Sequence, residues 1–401
     1  MIPAVARAQE DSSAIDDVRG ARHLHLGPLY FGPLFLLKEL GVDSNVFNDP
    51  ATPRTDFTLT VTPKTTVWMP VARRALLTTI VSTDLVWYAK YATERSNNPE
   101  ASVRAETYLR RLTLFAEGSY LNSRQRNSFD VDARVRHVDQ AIAGGVRVRM
   151  TPRFSIDVGA TSGRVTYVDG AEFKGQDLHQ ALNHTSEGAS LAIRHRLTPL
   201  TAVVVKMNAS RDRFPAAAFK DTDSVSVMPG VEFKPRALIS GSAYVGVRRF
   251  TPKSADVPGY TGPVARLSLS YTMFGATSFG ASWIRDLGYS YDAREPYYVG
   301  NSVGASIRQA MGSHFDVLLS SDRHQYAYRR LLPQSGVSET PVALPLPDGS
   351  ASDTWNHTAS LGYRVGHLGR IGAGVSYWRR RSTSAAVGNF DNLRMQVMVT
   401  P

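Results

Sequence analysis

Alternation with period two, sustained through many segments, constrains this chain more than any other feature. Between residues 202 and 210, Val203, Val205, Met207 and Ala209 share one face, while Lys206, Asn208 and Ser210 share the other. Phe154, Ile156, Val158 and Ala160 oppose Ser155, Asp157, Gly159 and Thr161. Ala265, Leu267, Leu269 and Tyr271 oppose Arg266, Ser268, Ser270 and Thr272, and Leu393, Met395, Val397 and Val399 oppose Asn392, Arg394, Gln396 and Met398. An extended strand points successive side chains to opposite faces, whereas a helix returns to one face every third or fourth residue, so these segments are strands.

Turn-forming clusters separate the strands at 70–74, 109–111, 151–153, 197–199, 234–236, 273–276, 311–313 and 366–369. Neighbouring clusters lie about forty residues apart, room for one long hairpin with a further loop at its far end. The far-side loops, at 94–99, 169–183, 215–221, 253–261 and 332–350, are polar and variable in length. Short turns on one side and long loops on the other are the layout of bacterial outer-membrane barrels. With both chain ends on the turn side, the clusters predict an all-β, antiparallel up-and-down transmembrane barrel of about eighteen strands. Sixteen is the alternative if residues 29–70 or 101–109 do not form full strands. The barrel takes residues 27–401 as a single domain. Residues 1–26 read as a signal remnant and flexible periplasmic lead, because Ala6-Arg7-Ala8 before Gln9-Glu10-Asp11 has the small-x-small form of a secretory cleavage site.

A soluble sandwich also alternates, so the membrane assignment needs further support. Segments 74–93, 130–150 and 315–329 exceed the length of about five or six residues usual in globular sheets. Their polar faces carry Gly, Ser, Thr, Arg and Asp, which cannot fill a protein core. Aromatic groups gather near segment ends, at Trp87, Tyr88 and Tyr91, at Tyr289 and Tyr291, at Tyr297 and Tyr298, at Tyr326 and Tyr328, and at Tyr377 and Trp378, as an interfacial girdle requires. Composition agrees. Hydrophobic residues make up 42% and mean hydropathy is −0.22. No apolar run is long enough for a helical span, whereas a barrel with every second residue facing water reads as mildly hydrophilic. The expected surroundings are therefore outer-membrane lipid.

If the apolar face meets lipid, the other lines a lumen. Register places Arg147, Arg149, Arg194, Lys206, Arg266, Arg308, Arg364 and Arg394 there as candidate solute-guiding residues, with Arg104, Arg196 and Lys234 beside them. Glu106, Glu117, Asp157, Glu232 and Asp316 share that face. The chain carries a net charge of +11, and a basic lumen between low-dielectric walls concentrates anionic solutes and repels cations. Each arginine has a second reading, as half of an ion pair that braces the wall. Residues 332–350, stiffened by Pro333, Pro341, Pro345 and Pro347, could fold into the mouth as a gate or form a plain surface loop.

Chemistry for catalysis or cofactors is not apparent. There is no cysteine and no Gly-x-Ser-x-Gly elbow, and the ten histidines show no metal-ligand spacing. A barrel enzyme is the remote alternative, and no cofactor is expected. Arg and Lys are spread over alternating strands rather than clustered, which argues against nucleic acid as partner.

The stretch Gly27-Pro28-Leu29 through Pro33-Leu34, followed by Glu39-Leu40-Gly41-Val42-Asp43-Ser44-Asn45-Val46-Phe47, resembles the start of the β-barrel porin 2 family. The resemblance implies an outer-membrane barrel associated with exopolysaccharide export, for which a periplasmic export protein is a candidate partner. Together with the residues it points to passage of an acidic polysaccharide or another anionic solute; a general or anion-selective diffusion porin is the alternative.

Overall fold

A computed structural model describes residues 13–20, 24–72, 74–126, 128–235, 238–332, 348–365, 369–383 and 388–400. Eighteen strands form the wall. They are β1 (Leu29–Asp43), β2 (Asp56–Val71), β3 (Ala75–Tyr88), β4 (Ser96–Tyr108), β5 (Leu112–Ser123), β6 (His137–Arg149), β7 (Phe154–Tyr167), β8 (His184–Arg196) and β9 (Thr201–Arg213). The second half comprises β10 (Thr222–Phe233), β11 (Ile239–Pro252), β12 (Tyr260–Met273), β13 (Thr277–Tyr289), β14 (Tyr297–Met311), β15 (Phe315–Arg329), β16 (Asp348–Arg364), β17 (Arg370–Ser382) and β18 (Phe390–Thr400). Each strand pairs antiparallel with its sequence neighbours, and residues 37–43 of β1 pair with residues 394–399 of β18 to close the ring. Closing the ring removes the free edge an open sheet would present to lipid, the condition for crossing a bilayer.

The turns fall where the sequence places them, and four of them use the left-handed conformation, at Ala72, Phe274–Gly275, Gly312 and Gly369. The segments 29–70 and 101–109 both form full strands, which settles the count at eighteen rather than sixteen. Strands run from 11 to 17 residues, long enough to cross a bilayer at a tilt. Apolar side chains on the outward parity are exposed, among them Val81, Ile142, Val158, Val225, Val247 and Leu319, as a lipid-facing wall requires. A register shift after Leu37 of β1 lets Lys38 and Glu39 both reach inward, Lys38 to Asp84 at 2.6 Å and Glu39 to Thr58 at 2.8 Å.

Three expectations change. Residues 130–150 are not one strand: β6 begins at His137, and residues 124–126 and 128–136 belong to a loop inside the barrel, the loop 124–136. Segment 74–93 ends as a strand at Tyr88. The expected girdle is only partly there, because Tyr291, Tyr297, Tyr298, Tyr326 and Tyr328 pack inside the mouth while Trp87 and Tyr377 face outward. Within the lead, residues 1–12 and 21–23, including the Ala6-Arg7-Ala8 pattern, lie outside the described residues. Ser13–Gly20 forms a helix, α1, that buries Ile15 and Val18 against inward-facing Leu76 and Tyr108 at the periplasmic end. Its Arg19 donates to the Ala72 carbonyl at 2.9 Å.

Candidate functional site: the lumen and its internal loop

All eight candidate arginines and lysine lie on the inward parity of their strands. They are linked around the wall rather than isolated. Arg147 of β6 binds Asp157 of β7 at 2.7 Å, Asp157 also holds Arg194 of β8 at 2.9 Å, and Arg194 reaches Glu232 of β10 at 3.0 Å. Lys206 lies 3.7 Å from the same Glu232, which also accepts from Tyr244. Tyr244 can reach it because its ring lies across Gly230, where a Cβ would stand 2.3 Å from the ring. Arg266 shares Asp286 with Arg248, at 3.8 and 2.6 Å. Arg364 shares Asp316 with Arg370, at 3.4 and 2.8 Å, and Arg308 lies within electrostatic range of that carboxylate. Arg394 meets Asp43 at 3.1 Å across the closing seam. Arg149 is engaged by a neighbour as well. Arg104 bridges Glu106 and Glu117 at 2.8 and 2.7 Å, whereas Lys234 stands in a turn just beyond β10.

Bracing is therefore real, and charge is distributed unevenly along the axis. Near the periplasmic turns the inward positions hold Arg104, Arg147, Arg149, Arg194, Arg196, Lys206, Arg308, Arg364 and Arg370 against Glu106, Glu117, Asp157, Glu232 and Asp316. Toward the loops, inward Glu39, Asp43, Asp56, Asp84, Glu100, Asp139, Asp212, Asp286 and Asp322 outnumber Lys38, Lys64, Arg248, Arg266, Arg380 and Arg394. The loop 124–136 adds Arg124, Arg126 and Arg134 to that half against Asp130 and Asp132, and the cavity beside it is bounded by Lys38, Arg124, Arg126, Arg134 and Arg394 against Glu39, Asp84 and Asp132.

Sequence reasoning missed Arg248, Asp286 and Arg370. The doublets Arg248-Arg249 and Arg285-Asp286 place a charge on each face, which hides their register, and Arg370 opens its strand directly after a turn.

The loop 124–136 is the other missed element. It leaves β5 and crosses to the opposite wall, where Phe129 stacks on His324 of β15 with ring centroids 4.4 Å apart and lies 5.7 Å from Trp378 of β17. Arg380 of β17 holds Asp132 at 3.1 Å and donates to the Phe129 carbonyl. Arg126 and Arg134 both donate to the Val46 carbonyl in the first long loop, at 2.7 and 2.9 Å. Asp130 is 1% exposed and accepts from the Tyr328 hydroxyl at 2.7 Å and the Tyr291 amide at 3.1 Å. Burial outweighs these donors and raises the Asp130 carboxyl from 3.8 to about 6.

One side of this loop is filled. Val131 packs with Tyr167, Ala171, Leu178, Leu182 and Tyr291, joining the loop to a short helix, α2 (Leu178–Leu182), and to the β13–β14 tip. That tip bends inward: β12 pairs with β13 only as far as Ala265–Arg285, while β13 and β14 stay paired to Tyr289–Tyr297. Lys220, 1% exposed, ties these parts together through the Ala181 carbonyl at 3.0 Å and the Ser290 carbonyl at 2.7 Å, and burial lowers its ammonium to about 8. On the other side lies a cavity of about 440 Å³ whose lining includes Lys38, Asp84, Arg126, Arg134, Trp378 and Arg394. The segment 332–350, expected as the candidate gate, falls at 333–347 outside the described residues. Among the described residues no cluster of His, Cys, Asp and Glu could hold a metal ion.

Comparison with known proteins places these features in context. The family described as "Putative beta-barrel porin 2" matches residues 33–400. No curated protein sequence matches. Among solved structures, the chain is similar to the outer membrane protein opdK from Pseudomonas aeruginosa, at 11% identity and a TM-score of 0.46, covering 93% of this chain and 98% of that one. It is similar also to a BenF-like porin from Pseudomonas fluorescens Pf-5, at 11% identity and a TM-score of 0.49, covering 92% and 99%.

Proposed function

The chain belongs to the family described as "Putative beta-barrel porin 2", and on that footing we propose that it guides an acidic exopolysaccharide outward across the bacterial outer membrane. The chain is a porin-like β-barrel of the bacterial outer membrane. The observation that supports the cargo and its direction is the excess of inward cations at the periplasmic end of the wall. A cationic excess at the periplasmic end draws a polyanion into the low-dielectric channel, and the nearer balance of charge beyond it holds the polymer less strongly toward the exit. The route runs beside the loop 124–136 through the cavity bounded by Arg126, Arg134 and Arg394. A periplasmic export protein would deliver the polymer to the turn side.

The test is block of single-channel current in planar bilayers by oligogalacturonate, with neutral dextran of equal length as control. The expected result is voltage-dependent block by the acidic chain, at lower concentration from the periplasmic side. Equal block by dextran, or equal block from both sides, overturns the reading. Anion-selective reversal potentials without any oligosaccharide block would leave an anion-selective diffusion porin, and unchanged surface polysaccharide after gene deletion would remove export.

A further inference from the structure

The outward wall differs from one side to the other. Among the described residues, β1–β6 carry no charged side chain at any outward strand position; toward the loops their outward series ends in Val42, Phe57, Trp87, Asn97, Asn122 and Val138. From β7 onward the same level carries arginine. Arg164 pairs in register with Gln140 and Thr185, Arg211 with Glu187, Arg249 with Val225 and Thr261, and Arg285 with Asn301, all on the outward parity. Arg213, Arg323, Arg379 and Arg381 continue the arc, and outward Glu187, Asp223, Asp353 and Asp391 neutralise only part of it.

Its height on the barrel is fixed by the aromatic residues next to it. Arg285 lies two residues beyond outward Trp283, and Arg379 two beyond outward Tyr377. Trp and Tyr mark the lipid headgroup boundary, and two residues along a tilted strand rise about 5 Å, to the level of lipid phosphates. Arg323 lies over the Trp355 ring at 4.7 Å, joining the two levels.

Within the arc there is also a shaped recess. Where the β13–β14 tip leaves the wall, a groove of about 520 Å³ opens, lined by Arg285, Asn301, Gln325, Arg329, Asp353 and Arg381. Three arginines, of which Arg381 also pairs with Asp391 at 2.9 Å, and the side-chain amides of Asn301 and Gln325 line one recess, a donor set that suits a phosphate, which offers several acceptor oxygens at once.

We propose that the arc from β7 to β17 is a docking surface for phosphorylated lipid of the outer leaflet, with the groove between β13 and β17 holding a lipid phosphate. The charge-free β1–β6 face does not take part. The proposal is independent of what passes through the pore.

The test uses the full chain in phosphatidylcholine nanodiscs, with diphosphorylated lipid A and its dephosphorylated form as probes and native mass spectrometry plus titration as readouts. Arg285→Gln/Arg329→Gln/Arg381→Gln is expected to weaken binding of the phosphorylated lipid by about 100-fold, or about fivefold for each arginine at a charged lipid surface. Arg110→Gln/Arg111→Gln, which removes charge from a periplasmic turn, should bind as the unaltered protein does. Heat-modifiable mobility on SDS gels reports folding; if the triple variant fails to fold, Arg285→Gln and Arg329→Gln are tested singly. Equal binding of dephosphorylated lipid, unchanged binding by the arginine variants, or an equal loss in the turn variant would overturn the assignment. So would competition by inorganic phosphate at the lipid's own concentration, which would mark a free-ion site.

Discussion

Asp130 makes the occluded mouth sensitive to pH in a direction the structure fixes. The carboxyl is buried in the loop that crosses the lumen, and the titratable groups facing it are Tyr328, Tyr291, Lys220 and Arg380. A loop released into water would return Asp130 to its ordinary 3.8, against about 6 when seated. The seated loop therefore holds its proton longer, so its stability is full below 3.8 and is lost as pH rises toward 6. A difference of roughly two pKa units corresponds to about 3 kcal/mol, or about a hundredfold shift toward release. Lys220 acts at the other end of the scale. Its ammonium is lowered from 10.5 to about 8, so seating is favoured above 10.5 and weakens as pH falls toward 8. Both losses coincide between about 6 and 8, where the mouth should be most open. Single-channel conductance in planar bilayers between pH 4 and 9.5 should rise on the acid side up to about 6, plateau, and begin to fall beyond 8. Asp130→Ala should flatten the acid limb and leave the alkaline one. Conductance highest in acid, or an acid limb that survives Asp130→Ala, would refute the reasoning.

Other consequences are read with the same instruments. Arg194→Gln strips Asp157 and Glu232 of the guanidinium they share, at a cost of about 2–3 kcal/mol; the temperature at which the folded band is lost on SDS gels should fall, and an unchanged temperature would deny the ladder a bracing role. Phe129→Ala removes the ring stacked on His324 and should raise single-channel conductance, while unchanged conductance would place the ring off the route. Ile15→Asp puts an unpaired carboxylate in a site 2% exposed and should expel α1, seen as protease cleavage within residues 13–20 and a wider periplasmic mouth; an uncut helix would refute its docking.

What the sequence makes legible is the environment of each strand face, and what it leaves dark is which environment supplies the apolar half. Alternation at 202–210 and at 130–136 is of equal quality: Val131, Ala133 and Val135 against Asp130, Asp132, Arg134 and Arg136. In the first segment the apolar face meets lipid. In the second it meets the interior cluster around Tyr167, Leu178 and Tyr291, with Asp130, Asp132 and Arg134 tied to the strands and loops around them. Period two reports two unlike surroundings and nothing more, so a segment crossing the lumen between a packed plug and a wet cavity imitates a wall strand. The same limit misplaced Tyr297. Tyr298, Tyr326 and Tyr328 share the inward parity of Arg308 and Asp316, so alternation already points them inside, whereas Tyr297 is on the outward parity and is packed inside the mouth by the inward bend of the β13–β14 tip, a choice made by contacts distant in sequence. Ladder register, by contrast, is local, which is why the inward arginines could be named from alternation alone. Their net effect could not, because Glu39, Asp56, Asp84, Asp139 and Asp212 reach the lumen from strands whose polar faces looked neutral or mixed. Once those carboxylates and the arginines of the loop 124–136 are placed, the cationic excess lies toward the periplasmic end and the charge beyond it is close to balance. Total charge alone carries none of that distribution along the axis.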